Sequence, residues 1–220
     1  MKEVRILLAD DHEVVRQGVR LLLEKVPGWT VCGEAGNGRE AVAKAQELQP
    51  DVVVLDVNMP ELNGLDATRQ IKRALPETEV LIFTGTESEE LVHGVFDAGA
   101  RSYIMKSDVT KHLIAAVEAL AQHKTYFTTK ISEIVFARYL DGKTGRSAVD
   151  KADPNSRLSP REREIVQLLA EGKSNKEVGS ALGISVKTVE THRATIMRKL
   201  GMQSFSELVR YAIRNHIVEA

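Results

Sequence analysis

The chain has 220 residues, 43% hydrophobic and 28% charged, with a formal net charge of −1. That balance is typical of a soluble globular protein of one or two domains, and it excludes a disordered tail, a collagen-like repeat and a disulfide scaffold. Apolar runs stop at four or five residues, as at Val52 to Leu55, far short of the ~18 needed to span a membrane. The N-terminus lacks a secretory h-region, and the lone cysteine, Cys32, excludes internal disulfides. A cytoplasmic setting with no membrane partner is therefore expected.

The modest net charge hides an asymmetry. Residues 1–124 carry 14 basic against 20 acidic side chains, a net of −6, while residues 125–220 carry 16 against 11, a net of +5. An acidic half joined to a basic half suggests two modules with different partners, the basic one suited to nucleic acid.

The first module alternates strand-like and helix-like segments. Ile6 to Ala9 is an apolar run ending in Asp10-Asp11, followed by Val14, Val15, Val19, Leu22 and Leu23 at helical spacing. Trp29 to Cys32 reads as a second strand, and Ala41, Val42, Ala45 and Leu48 as a second helical face. Val52 to Leu55 reads as a strand buried on both faces. A helix follows from Leu65 to Leu75, then a strand from Val80 to Phe83 and a helix through Phe96 that Gly99 ends. Ser102 to Met105 and Leu113 to Leu120 complete a fifth pair. Five such units predict an α/β fold, a parallel sheet covered on both faces.

Beyond it, Ile131, Ile134, Val135 and Leu140 suit one more helix, and the polar stretch 142–157 reads as a flexible linker. Ser159-Pro160 with Glu162, and Ser174 with Glu177, have capping-box spacing. Gly172, Gly183 and Gly201 stand where helices should stop. The last module is thus predicted to be all-α, with helices near 160–171, 175–182, 186–200 and 205–215. The expected division is 1–124, a linker at 125–156, and 157–220.

In a parallel sheet, ligands bind beyond the carboxyl ends of the strands. The residues ending the strands are Asp10, Asp11, Asp56, Thr84 and Lys106. Carboxylates gathered at one edge repel, and a divalent cation offsets them; Mg²⁺ suits a site with few carboxylates and phosphate oxygens. An aspartate can attack phosphorus to form an acyl phosphate. A threonine hydroxyl and a lysine ammonium suit the equatorial oxygens of the moving group.

Asp10-Asp11, Asp56 with Met59-Pro60 and Gly64, Thr84, and Tyr103 with Lys106 resemble the response-regulator receiver domain over roughly residues 3–122. The resemblance implies a flavodoxin-like fold and transfer of a phosphoryl group to Asp56 from a cognate histidine kinase. It implies Mg²⁺ on Asp10, Asp11, Asp56 and the backbone carbonyl of Asn58. Thr84 would move to the phosphoryl oxygen and Tyr103 would rotate inward behind it. One departure is Ser107 after Lys106, where many receivers have proline after a cis peptide; the geometry here is left open.

In the segment 186–200, Val189, Ile196 and Leu200 share the core side. Lys187, Glu190, Thr191, Ala194 and Arg198 share the opposite one. With the preceding turn at Gly183 this is helix-turn-helix chemistry, the second helix reading a major groove. Lys187 and Arg198 suit phosphate or guanine, and Thr191 a base edge or thymine methyl. His192 on the flank and Lys176 suit the backbone, while Arg193 faces the core side. The match from Leu158-Ser159-Pro160-Arg161-Glu162 through Thr188-Val189-Glu190-Thr191-His192 to Lys199-Leu200-Gly201 resembles a LuxR-type helix-turn-helix. The whole chain therefore resembles a NarL/FixJ-type response regulator.

That resemblance implies a transcription factor, not an enzyme, that binds two half-sites of double-stranded DNA as a homodimer when phosphorylated or DNA-bound. Thr188 and Lys199 join the DNA-facing set. In the last helix, Phe205, Leu208, Val209, Ala212 and Ile213 suit packing on its own domain, leaving Tyr211 and Arg214 as dimer contacts. Two competing readings are an aspartyl phosphatase, for which Asn58 stands where a general acid is needed, and a constitutive DNA binder whose receiver only dimerises.

Overall fold

The sheet has five parallel strands: β1 (Val4–Ala9), β2 (Trp29–Ala35), β3 (Val52–Leu55), β4 (Glu79–Thr84) and β5 (Ser102–Met105). Their order is β2-β1-β3-β4-β5. The structure is a computed structural model, and it describes residues 3–85, 88–129, 131–134 and 158–219. It forms two compact units, Met1–Arg146 and Ser147–Ala220. The linker read over 142–157, and Val135 and Leu140 of the extra helix, lie outside the described residues.

Helices α1 (Glu13–Leu23), α2 (Gly38–Leu48), α3 (Gly64–Ala74) and α4 (Glu89–Asp97) connect the strands, and α5 (Val109–Leu120) follows β5. Successive strand residues point to opposite faces, so an unbroken apolar strand needs cover on both. Leu7, Val53, Leu55 and Ile82 pack in one cluster with Ala41, Ile71 and Val92 of α2–α4. Ile6, Leu8, Val52, Val54 and Phe83 pack in the other with Val19, Leu23, Leu113 and Val117 of α1 and α5. Full burial of such a side chain stabilises the fold by about 1.5–3 kcal/mol.

Strand β2 runs to Ala35, beyond the apolar stretch that ends at Cys32. It is an edge strand and only partly buried, so Gly33 and Glu34 need not be apolar. Its register with β1 shifts between Ile6 and Leu7, where Val31 is followed by Gly33 in the pairing. Asn37, Asn63 and Ser88 cap α2, α3 and α4 by accepting from the N–H groups of Glu40, Asp66 and Leu91. Gly64 is fixed by close approach: its N–H donates to Val57 O at 2.8 Å. A Cβ there would lie 2.0 Å from the Asp56 carbonyl oxygen. The turn after β3 is thereby folded tightly against the residue that ends the strand.

The helix expected around Ile131 and Ile134 is present at the described residues 129 and 131–134, and Tyr126, Phe127, Ile131 and Ile134 pack on the two clusters of the first unit.

The second unit has α6 (Pro160–Ala170), α7 (Asn175–Leu182), α8 (Val186–Leu200) and α9 (Phe205–Arg214). Both predicted capping boxes are formed, Ser159 with Glu162 and Ser174 with Glu177. Gly183 ends α7 at φ +64, a conformation that costs a residue with a Cβ about 1–2 kcal/mol. Ile165, Leu168, Val178, Val189, Ile196, Leu208 and Tyr211 are buried together. Among the described residues no helix is long and apolar enough to cross a membrane.

Candidate functional site

Strands β1 and β3 are neighbours although β2 lies between them in sequence, so the connections leave in opposite directions and open a crevice at their carboxyl ends. Asp10 and Asp56 stand there, both buried, with Thr84 buried at the end of β4. Lys106 follows β5 in a 3₁₀ turn, Lys106–Asp108, that leads into α5. The Lys106–Ser107 peptide is trans.

The lysine ties the edge together. Its Nζ donates to Asp56 Oδ2 at 2.7 Å and lies 2.7 Å from Asp10 Oδ2. Burial pushes the Asp56 carboxyl up to about 6, and Asp10 adds to the rise; Lys106 and the Asn58 N–H oppose it. For Lys106 burial works downward, but the two carboxylates outweigh it and hold the ammonium above its ordinary value. Asp56 Oδ1 is buried without a hydrogen-bond partner among the described residues.

Asp10 is positioned from both sides. The His12 N–H donates to its Oδ1 at 2.9 Å, and Arg16 donates to its carbonyl oxygen at 2.6 Å. Potential ligand atoms of Asp10, Asp11, His12 and Asp56 all lie within 4.8 Å of one another. Three carboxylates and an unpartnered buried oxygen suit a hard dication. His12 is the member that sequence reasoning missed: its Nδ1 lies 2.7 Å from Asp11 Oδ1. Spacing between histidines carries no trace of this. The readable signal was adjacency, since the residue after an acidic pair at a strand-to-helix corner must stay beside it.

Tyr103 lies fully buried, its hydroxyl donating to Met105 Sδ at 3.2 Å.

In the second unit α8 presents two faces. Val189 and Ile196 are buried, while Leu200 is only half-buried. Lys187, Thr188, Glu190, Thr191, Ala194 and Arg198 are exposed, as is Lys176 on α7; His192 is half-buried. The Thr191 hydroxyl donates to Lys187 O at 2.9 Å. Thr188 Oγ1 is 2.8 Å from Ser185 Oγ at the helix start. Lys199 is exposed, but its Nζ is 2.6 and 2.8 Å from the two Glu162 carboxylate oxygens. It ties the end of α8 to the start of α6. Arg193 is half-buried over the Phe205 ring, 5.2 Å from its centroid.

The last helix corrects the sequence reading. Tyr211, expected outside, is 9% exposed and belongs to the core, whereas Phe205, expected inside, is 39% exposed. Leu208 and Ala212 are buried as expected, and Val209 and Ile213 are half-buried. The buried face is Leu208, Tyr211 and Ala212, an i, i+3, i+4 set that shares one core with Ile217 beyond the helix. Arg214 is exposed.

Fold and edge geometry together define a receiver-type α/β unit joined to a helix-turn-helix unit. Residues 6–118 match the response regulator receiver domain, and residues 156–212 match the bacterial regulatory proteins of the luxR family. The chain is similar to the transcriptional regulatory protein LiaR of Bacillus subtilis, 38% identical over 215 residues, 98% of this chain and 99% of that one. It is also 38% identical to the oxygen regulatory protein NreC of Staphylococcus epidermidis over 217 residues, 98% of this chain and 100% of that one. Among solved structures it resembles RcsB of Salmonella enterica serovar Typhimurium bound to promoter rprA with the phosphomimetic BeF₃⁻. The TM-score is 0.58 at 25% identity, covering 96% of this chain and 98% of that one. The chain belongs to the response regulators of two-component systems, in the branch that joins a receiver to a LuxR-type DNA-binding domain.

Proposed function

We propose that Asp56 is the phosphoacceptor of this regulator and that its phosphorylation by a histidine kinase controls DNA binding by the C-terminal unit. The observation that carries this is the buried Asp56 carboxylate beside Asp10: Lys106 holds its Oδ2, and its Oδ1 is buried with no hydrogen-bond partner among the described residues. At neutral pH a group with its pKa near 6 is largely ionised and nucleophilic. The carboxylate oxygen would form the new P–O bond as the donor's bond to phosphorus breaks. Lys106, and Thr84 at the neighbouring strand end, would receive the phosphoryl oxygens.

Mg²⁺ would be held by Asp10, Asp11, Asp56 and the Asn58 carbonyl, and it supplies positive charge against the carboxylates and the incoming phosphoryl group. In this reading Tyr103 is the switch residue. The receiver occupies residues 1–124 and the DNA-binding unit 157–220. Helix α8 enters the major groove with Lys187, Thr188, Glu190, Thr191, Ala194 and Arg198 outward, and Lys176 and His192 at the backbone. The dimer forms through α9, with Phe205 and Arg214 as its outward residues in place of Tyr211. The setting is the cytoplasm.

The test is intact mass after incubation with Mg²⁺ and a small acyl-phosphate donor or the phosphorylated kinase. A single phosphoryl adduct on the wild type, absent from Asp56→Asn, is expected. An adduct that persists in the variant, or none with either donor, overturns the assignment.

A further inference from the structure

We propose that Glu190 reads a cytosine: its carboxylate accepts from the 4-amino group of that base in the major groove, so each half-site carries a cytosine selected by this contact. The proposal rests on α8 lying in that groove.

Glu190 is the only acidic side chain of α8. The other three helices of the unit place a glutamate at their third residue, where it serves the helix start. Glu162 and Glu177 complete capping boxes, and Glu207 accepts from the Gln203 N–H at 2.8 Å. In α8 the third residue is Thr188, whose N–H donates to Ser185 Oγ at 3.1 Å. Glu190 is the fifth, past the first turn, where the attraction of the helix dipole for an anion has fallen off. It therefore serves neither the cap nor the dipole.

Its neighbours do not neutralise it. Lys187 lies three residues before it and Arg193 three after, the spacing of helical ion pairs. The Arg193 guanidinium instead lies over the Phe205 ring, 5.2 Å from its centroid. Among the described residues the exposed Glu190 side chain makes no ion pair or hydrogen bond.

On a face that meets DNA such a carboxylate is costly. The duplex carries one phosphate charge per ~1.7 Å of its axis, and these charges repel it. A hydrogen-bond donor on a base edge offsets the repulsion. A carboxylate only accepts, and the donors in the major groove are the amino groups of cytosine and adenine. Adenine sets its N7 acceptor beside the amino group, where it repels a carboxylate; cytosine has no acceptor there. Ala194, also exposed, lies four residues on along the same face, and its small side chain lets the helix approach the base edges closely.

Selection from a random duplex library by the full chain, in Mg²⁺ and beryllofluoride, tests this, with Glu190→Ala and Glu190→Gln alongside. The wild type should enrich a site with a fixed cytosine in each half. Replacing that cytosine by 2-pyrimidinone, which lacks the amino group, should weaken wild-type binding about tenfold or more, the size of one lost base contact. Glu190→Ala should bind the two duplexes equally, which also shows that the weakened base pair is not the cause. Glu190→Gln should move the preference toward adenine, which a carboxamide pairs through N6 and N7. A wild-type site without a fixed cytosine, or the same cytosine dependence in Glu190→Ala, overturns the proposal and leaves α8 in the groove. If the wild type enriches no sequence, the groove reading fails and the proposal falls with it.

Discussion

The two functional surfaces of this protein are built on opposite plans. At the receiver edge two carboxylates are buried beside one ammonium, and the cost of gathering like charges is carried by the fold. On α8 the side chains proposed to face DNA stand in water, and the fold does little for most of them beyond keeping Val189 and Ile196 in the core. A buried site is therefore specified by its partners and an exposed one by the face left over. Substitutions should separate the two plans: at the edge they should move stability and chemistry together, and on α8 they should move binding alone.

The largest effect expected falls on neither surface but on the helix behind the second. Tyr211 lies in the core of the DNA-binding unit and Phe205 at its edge. Tyr211→Ala should destabilise that unit by about 3 kcal/mol in urea unfolding. Phe205→Ala should cost about 1 kcal/mol, mostly the contact with Arg193, while weakening dimer formation on DNA. Equal losses of stability would show that the helix face has been misplaced.

Next is Asp56→Asn. A carboxyl whose folded pKa is raised to about 6 by burial favours the folded state below the unfolded value. That contribution is lost as pH rises through 6. By the size of the shift, the wild type in EDTA should lose up to about 3 kcal/mol between pH 4 and 7.5 from this group. The amide has no such dependence, so the variant should be the more stable protein at pH 7.5 and gain nothing at pH 4. A pH-independent difference between the two would mean that Asp56 is not desolvated as the geometry requires.

The same contrast explains what could be read in advance. The strands were legible because Val52 to Leu55 must bury both faces, and the helix ends because Ser159, Ser174 and Gly183 have local, additive effects. The acidic edge followed from topology, since parallel strands end together. His12 was missed because its contact with Asp11 depends on a corner and not on a period. Ile131 and Ile134 suit a helix already in the sequence, whereas Tyr126 and Phe127 are two adjacent aromatics with no period to announce a buried face. The buried face of α9 is Leu208, Tyr211 and Ala212, an i, i+3, i+4 set, so helical spacing allows Tyr211 inside as readily as Phe205.

A smaller effect should isolate the exposed plan. Lys187→Ala should weaken DNA binding by about 1 kcal/mol at every sequence and lower the salt slope by about 1. Unfolding and phosphoryl uptake should be unchanged. A loss of stability in this variant would place Lys187 among the structural residues.

The smallest effect marks where the two plans meet. Lys199 shares the exposed end of α8, yet its ammonium is bound to Glu162. Burial raises the Glu162 pKa, but Lys199 and the Ser159 donors outweigh it and hold the carboxyl below its ordinary value. Stability from such a group is present above the unfolded pKa and is lost as pH falls through the folded one. Because Lys199 is well exposed, solvent screening limits the pair to under about 1 kcal/mol. Lys199→Gln should therefore lower the stability of the DNA-binding unit slightly at pH 7, and the difference from wild type should vanish in acid once Glu162 is protonated. Its effect on DNA affinity should be smaller than that of Lys187→Ala, because phosphate must compete with a carboxylate for the same ammonium. A larger loss of affinity, with no pH-dependent change in stability, would move Lys199 from the frame of the domain to its DNA-reading face.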